Sequence, residues 1–184
     1  MGLIKPVLPV KYFFAITFRG DFEIEPFIRR TFAEEFGPTD FRSEVFEFSH
    51  FTNYYADDMG RDLKKTFISL EQLRAPDLLP EIKIKSNAME KAFLLNNNRE
   101  INLDPGYLTM AKVVLATTKD YSHRIYLAKG IYGDLHLCYA QKSFQKQPWT
   151  YPDYQQPQSL VFFNQLRSIY SQQLAGVTSE EDNL

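Results

Sequence analysis

The sequence predicts a single α+β domain ordered β-α-β-β-α-β, as in the ferredoxin-like arrangement, extended by a C-terminal hairpin and helix. Three observations carry this expectation. Aromatic and β-branched runs bounded by Gly and Pro alternate with stretches of helical apolar spacing. The length of 184 residues is that of one domain. A hydrophobic fraction of 44%, with 16 Phe and 11 Tyr, supplies a core without disulfides or a structural metal.

Residues 10–18 lie between Pro9 and Gly20 and read as a buried strand. Asp21 then caps a helix to Phe36, with Ile24, Phe27, Ile28, Phe32 and Phe36 on one face. Gly37 and Pro38 stop it. Residues 41–48 and 65–70 are the second and third strands. A helix from Asp77 to about Leu95 places Ile82, Met89 and Phe93 on one side, and residues 100–103 form a short fourth strand. Asp104 and Pro105 resemble a helix start and predict a helix over 107–117, although Val113, Val114 and Leu115 also suit a strand. Residues 123–127 and 131–139 flank Ala128, Lys129 and Gly130 as a hairpin. A closing helix spans 158–174. The domain is thus residues 1–175, and 176–184 read as a flexible acidic tail.

The net charge of -2 excludes a general nucleic-acid binder, whose affinity comes from neutralising phosphates. One cysteine, Cys138, makes no internal disulfide, the N-terminus lacks a signal-peptide core, and no run approaches the ~20 apolar residues of a membrane span. A cytoplasmic protein without membrane association is expected.

Polar residues concentrate at 102–108 and 117–127. Lys119 and Arg124 offer cationic donors for an anion, most simply a phosphate. His123 is the first acid-base candidate because imidazole titrates near neutrality. Asp104 and Glu90 are the carboxylate candidates. Lys83, Asn87 and Glu90 fall at i, i+4 and i+7, one face of a helix able to line a cleft. Asn102, Tyr126 and Asp153 complete the candidate ligand set, with Trp149, Tyr151 and Tyr154 as a possible aromatic wall. Each of these residues also has a plain structural reading as a turn, a solvated face or a packed loop. No zinc spacing, dinucleotide glycine pattern or nucleophile elbow occurs, and residues 60–66 lack the second glycine of a phosphate loop. No metal is predicted, and no cofactor is identified.

Tyr54 and Tyr55 through Met59 and Gly60, the stretches 102–107 and 117–127, and the Trp149 to Tyr154 segment together resemble the prokaryotic family called domain of unknown function 4416, over about residues 5–174. The resemblance implies that these segments belong to one whole-domain pattern. Some family members are labelled GTP-binding proteins. The functional expectation is a polar cleft that binds or processes a phosphorylated or nucleotide-like small molecule. The alternatives are a non-catalytic protein-interaction module and a GTP-binding protein without a standard phosphate loop.

Overall fold

A computed structural model of the chain describes residues 2–52 and 54–181, with side chains described through residue 176. In chain order the first elements are β1 (Lys11–Arg19) and a helical segment made of α1 (Ile24–Phe27), a π turn (Ile28–Phe32) and α2 (Ala33–Phe36). Then come β2 (Thr39–Arg42), β3 (Phe46–Glu47), α3 (Ala56–Met59), β4 (Leu63–Leu70) and α4 (Leu79–Ala92). A small hairpin, β5 (Leu94–Leu95) and β6 (Asn98–Arg99), leads into β7 (Ile101–Leu108) and β8 (Lys112–Thr117). The chain ends with β9 (Arg124–Ala128), β10 (Ile131–Ala140), β11 (Ser143–Lys146) and α5 (Pro157–Glu181).

The main sheet runs β11-β10-β8-β7-β1-β4-β2, with β3 on β4 and β9 on β10, and its pairings are antiparallel. Alternation along β1 builds two cores. Tyr12, Phe14, Ile16 and Phe18 face Phe27, Phe32 and Phe36 of the first helical segment and Leu79 and Ile82 at α4. Phe13 and Ala15 face Phe162, Phe163 and Leu166 of α5 on the opposite side. Beyond Ala15 the α5 face turns polar: Lys65, Thr17 and Asn102 stand side by side across β4, β1 and β7. The result is one mixed α+β domain with helices on both faces of an antiparallel sheet.

The structure corrects several expectations. Asp21 does not cap the first helix; its carboxylate pairs with Arg19 at 2.7 Å, and the helix begins at Ile24. The single strand over 41–48 is broken into β2 and β3 at Ser43, whose hydroxyl accepts the Phe67 N–H at 2.9 Å. The second helix stops at Ala92, because Asn96 and Asn97 adopt φ of 52° and 66° and fold β5 onto β6. Residues 107–117 are strands, not a helix; Thr109 accepts the N–H groups of Ala111 and Lys112 and closes the turn between them. The β9–β10 hairpin turns through Lys129 (φ 53°) and Gly130 (φ 75°), a pair of left-handed residues suited to the twist of a two-residue loop. Helix α5 runs to Glu181, past the expected end at Leu174, and residues 182–184 of the acidic tail lie outside the described residues. Among the described residues no helix is long and apolar enough to cross a membrane.

Candidate functional site

Strands β7 and β8 pair only from Gly106 to Leu108. Over residues 101–105 the edge of β7 on that side has no strand beside it among the described residues, and α4 substitutes side chains for the missing ladder. The Leu103 N–H donates to Glu90 Oε1 at 2.7 Å, and its carbonyl accepts from Lys83 Nζ at 2.9 Å. Backbone groups alternate along a strand, so Pro105 turns its missing N–H to the same side and forfeits no bond to β1. At Gly106 the strands close: a Cβ there would lie 2.6 Å from the Val114 carbonyl oxygen and 2.7 Å from the Phe13 ring. Asp104, Pro105 and Gly106, which read as a helix start, thus mark where the sheet opens.

The opening is a cleft of about 540 Å³. Lys83, Asn87 and Glu90 enter it from α4, Asn102 and Asp104 from β7, Lys119 from beyond β8, and Asp153 from the turn before α5. Sequence reasoning nominated all seven. It also nominated His123, Arg124 and Tyr126, and Trp149 and Tyr154 for the aromatic wall, all of which the structure places outside the lining. The His123 ring stacks on Trp149 with centroids 4.7 Å apart, and its Nε2 lies 3.5 Å from Asp134 Oδ2, behind the cleft wall. Arg124 is buried and donates through Nε to the same carboxylate oxygen at 3.0 Å and through Nη2 to the Tyr151 hydroxyl at 3.1 Å. Tyr126 is exposed on β9, against Tyr132.

The lining contains groups the sequence did not nominate. Lys65, buried on β4, donates to Asp153 Oδ2 at 2.6 Å and lies 4.6 Å above the Phe48 ring. Arg99 joins three chain segments, donating to Asp58, to Glu90 Oε2 at 3.0 Å and to Asn102 Oδ1 at 2.9 Å. Asp134 sits at the back, and Phe51, Tyr54 and Tyr55 supply rings beside Tyr151, which the sequence did nominate for the aromatic wall. The available signal for Lys65 was a lysine interrupting a strand buried almost throughout.

A family model described as Domain of unknown function (DUF4416) matches residues 8–170. The chain belongs to that family. The matched span takes in every residue named in the cleft, so the split sheet and its polar lining lie within the DUF4416 domain itself. No curated protein and no solved structure matches the chain.

The charges in this DUF4416 cleft hold each other in place. Burial opposes the charge on Asp104, but Lys83 and Lys65, with hydrogen bonds from Lys83 (3.1 Å) and Asn102 (2.7 Å), keep its carboxyl below the usual range. Burial likewise opposes Asp134, and bonds from His136 and Arg124 overcome it. For Glu90 burial wins and raises the carboxyl, against Lys83 and the Leu103 N–H. Burial also raises the phenols of Tyr55 and Tyr151. Among the described residues, no three His, Cys, Asp or Glu side chains are grouped to hold a metal ion.

His136 fixes one wall. Its Nε2 accepts the Tyr151 N–H at 3.1 Å, so the proton sits on Nδ1, which faces Asp134 Oδ1 at 3.3 Å. Burial is the main influence and lowers its pKa, against Asp134 and Asp153. The unfolded chain therefore takes up this proton first, near the ordinary value of 6.5. The contribution to stability is complete above about pH 6.5 and is lost as pH falls below it. Asp104 and Asp134 act in the same sense lower down, their contributions present above about 3.8 and lost towards their depressed folded values. Raised Glu90 has the opposite sign: stability falls as pH climbs from 4.5 through its folded value. The melting temperature is accordingly expected to drop between pH 7.5 and 5.5, and His136→Gln to flatten that slope. An unchanged slope in His136→Gln assigns it to another group.

Proposed function

We propose that the cleft binds a small phosphorylated or nucleotide-like molecule, with its anionic group on the lysines and its ring against the tyrosines. The observation that supports this reading is an excess of unused donors. Of the four carboxylates in the lining, Glu90, Asp104 and Asp134 have both oxygens engaged, and Asp153 alone keeps one without a partner among the described residues. Among the described residues, Lys65 spends one of its three N–H groups on Asp153, and Lys119 bonds the exposed Tyr54 hydroxyl at 2.9 Å. An acceptor-only group with several oxygens complements such a set. Phe51, Tyr54, Tyr55 and Tyr151 offer faces and edges to a planar ring.

Of the acid-base candidates, Asp104 and Glu90 face the bound molecule, and His123 acts on it only through Asp134. A cytoplasmic location goes with this reading and is supported by a single cysteine, Cys138, which makes no internal disulfide.

Thermal shift with inorganic phosphate, sugar phosphates and nucleotides, GTP with and without magnesium among them, tests the reading. A ligand at 100 times its Kd adds about 2.7 kcal/mol, which raises Tm by roughly 5–10 °C in a chain of this size. Lys119→Ala is expected to leave the Tm of the free protein within about 1 °C, since its bond to Tyr54 is exposed, and to reduce the ligand shift by more than half. No shift across the panel, or a full shift in Lys119→Ala, counts against the assignment.

A further inference from the structure

We propose that the anion seat of the cleft lies at Lys65 and Asp153, is completed by the hydroxyls of Thr17 and Tyr154 just behind them, and takes a terminal phosphate carrying one proton. The proposal rests on the phosphate reading above and names the part of the cleft that meets the group. Among the described residues, Thr17 Oγ1 and Tyr154 Oη are buried without a hydrogen-bond partner. Each of these residues is 1% exposed. An unpaired buried hydroxyl costs stability and asks for an occupant of its own. The third such oxygen, Gln173 Oε1, lies elsewhere, on α5 beside Glu71.

Both hydroxyls belong to one place. Thr17 stands between Lys65 and Asn102 across β4, β1 and β7, and paired residues turn their side chains to one face. Lys65 and Asn102 line the cleft, so Thr17 lies under its floor. Tyr154 follows Asp153 in the turn before α5. Its ring lies 5.2 Å from Lys65 Nζ, and the carboxylates of Asp153 and Asp104 act on its hydroxyl. Burial, with those charges, raises the phenol far above its usual range, so it stays a donor. Lys65 is a flexible chain held at its tip by one carboxylate oxygen, and a small shift of that tip opens both hydroxyls to the ligand.

The donors and one free acceptor select the group. Lys65 has two N–H groups beyond the one on Asp153, and each hydroxyl adds another. A terminal phosphate offers three acceptor oxygens to such a set, whereas a phosphodiester offers fewer and brings a second substituent to place. Asp153 adds a condition. Its Oδ1 is without a partner among the described residues, and beside an anion it repels unless the anion brings a proton. A phosphate ester, with a second pKa of about 6, can keep that proton in the site. A sulfate ester of the same shape has none to keep near neutrality.

Calorimetric titration of the full chain with phenyl phosphate and phenyl sulfate at pH 7 tests this. The phosphate is expected to bind about tenfold more tightly, or better, because only it can donate to Asp153. Thr17→Val and Tyr154→Phe remove only the hydroxyls, and each is expected to weaken the phosphate about tenfold. The Tm of the free variants is expected to be unchanged or higher, since each loses an unpaired buried group. Thr17→Ser keeps the hydroxyl and is expected to bind like the parent. Unchanged affinity in either hydroxyl variant, a Thr17→Ser variant as weak as Thr17→Val, or sulfate bound as tightly as phosphate overturns the seat and leaves the phosphate reading standing. A parent chain that takes neither ester overturns that reading, and the seat with it.

Discussion

Asp134→Ala is expected to lower stability by about 3–5 kcal/mol, a fall in melting temperature on the order of 10 °C, although Asp134 lies at the back of the cleft rather than at its centre. The cause is what remains. Arg124 is buried with its guanidinium on that carboxylate, and His136 turns its protonated Nδ1 to the other oxygen. Without the carboxylate, Arg124 is a buried cation whose other acceptors are one carbonyl and two hydroxyls. Asp134→Asn is expected to cost nearly as much, because its amide brings donors to a place already facing donors. Without Asp134 to hold the proton on Nδ1, His136 Nε2 is a less fixed acceptor for the Tyr151 N–H, so ligand shifts are expected to fall together with Tm. A drop of under 3 °C in either variant means that the cluster is solvated and does not hold the wall.

His123 shows how sequence reasoning misplaces such a group. Titration near neutrality belongs to the residue type, whereas reach into a cleft belongs to the place. Here the imidazole is taken up by the Trp149 face and the Asp134 carboxylate, a partner on the next strand of the hairpin. The helical stripe of Lys83, Asn87 and Glu90 was legible because its geometry is local, and i, i+4 and i+7 share a face whatever the tertiary fold. What that stripe faces was not legible. It faces a sheet that opens at Pro105, and Asp104 with Pro105 is as good a helix start as a strand member until the Leu103 backbone is seen bonded to α4. The aromatic β1 was plain for a related reason, since a strand buried on both faces needs no alternation to be recognised. Arg99 and Asp58 were out of reach: they pair across 41 positions, and nothing in either neighbourhood encodes the other.

The Lys65–Asp153 pair, 88 positions apart, separates fold from function most sharply. Both side chains are buried, and removing either one strands a charge, so Lys65→Met and Asp153→Val are each expected to cost about 3–5 kcal/mol. The double variant is expected to recover most of that loss, to within about 1 kcal/mol of the parent, because a buried ion pair replaced by apolar groups is commonly neutral or better. Around Lys65 the setting favours this, with the Phe48 and Tyr154 rings already lying 4.6 and 5.2 Å from its Nζ. A pair kept only for structure would lose nothing further. A pair kept as the anion floor loses its two spare N–H donors, and the thermal shift from a phosphorylated ligand is expected to vanish in a double variant that is otherwise as stable as the parent. Should that stable double variant still take the full shift, the anion does not rest on Lys65, and Lys83 and Lys119 must hold it without the buried lysine.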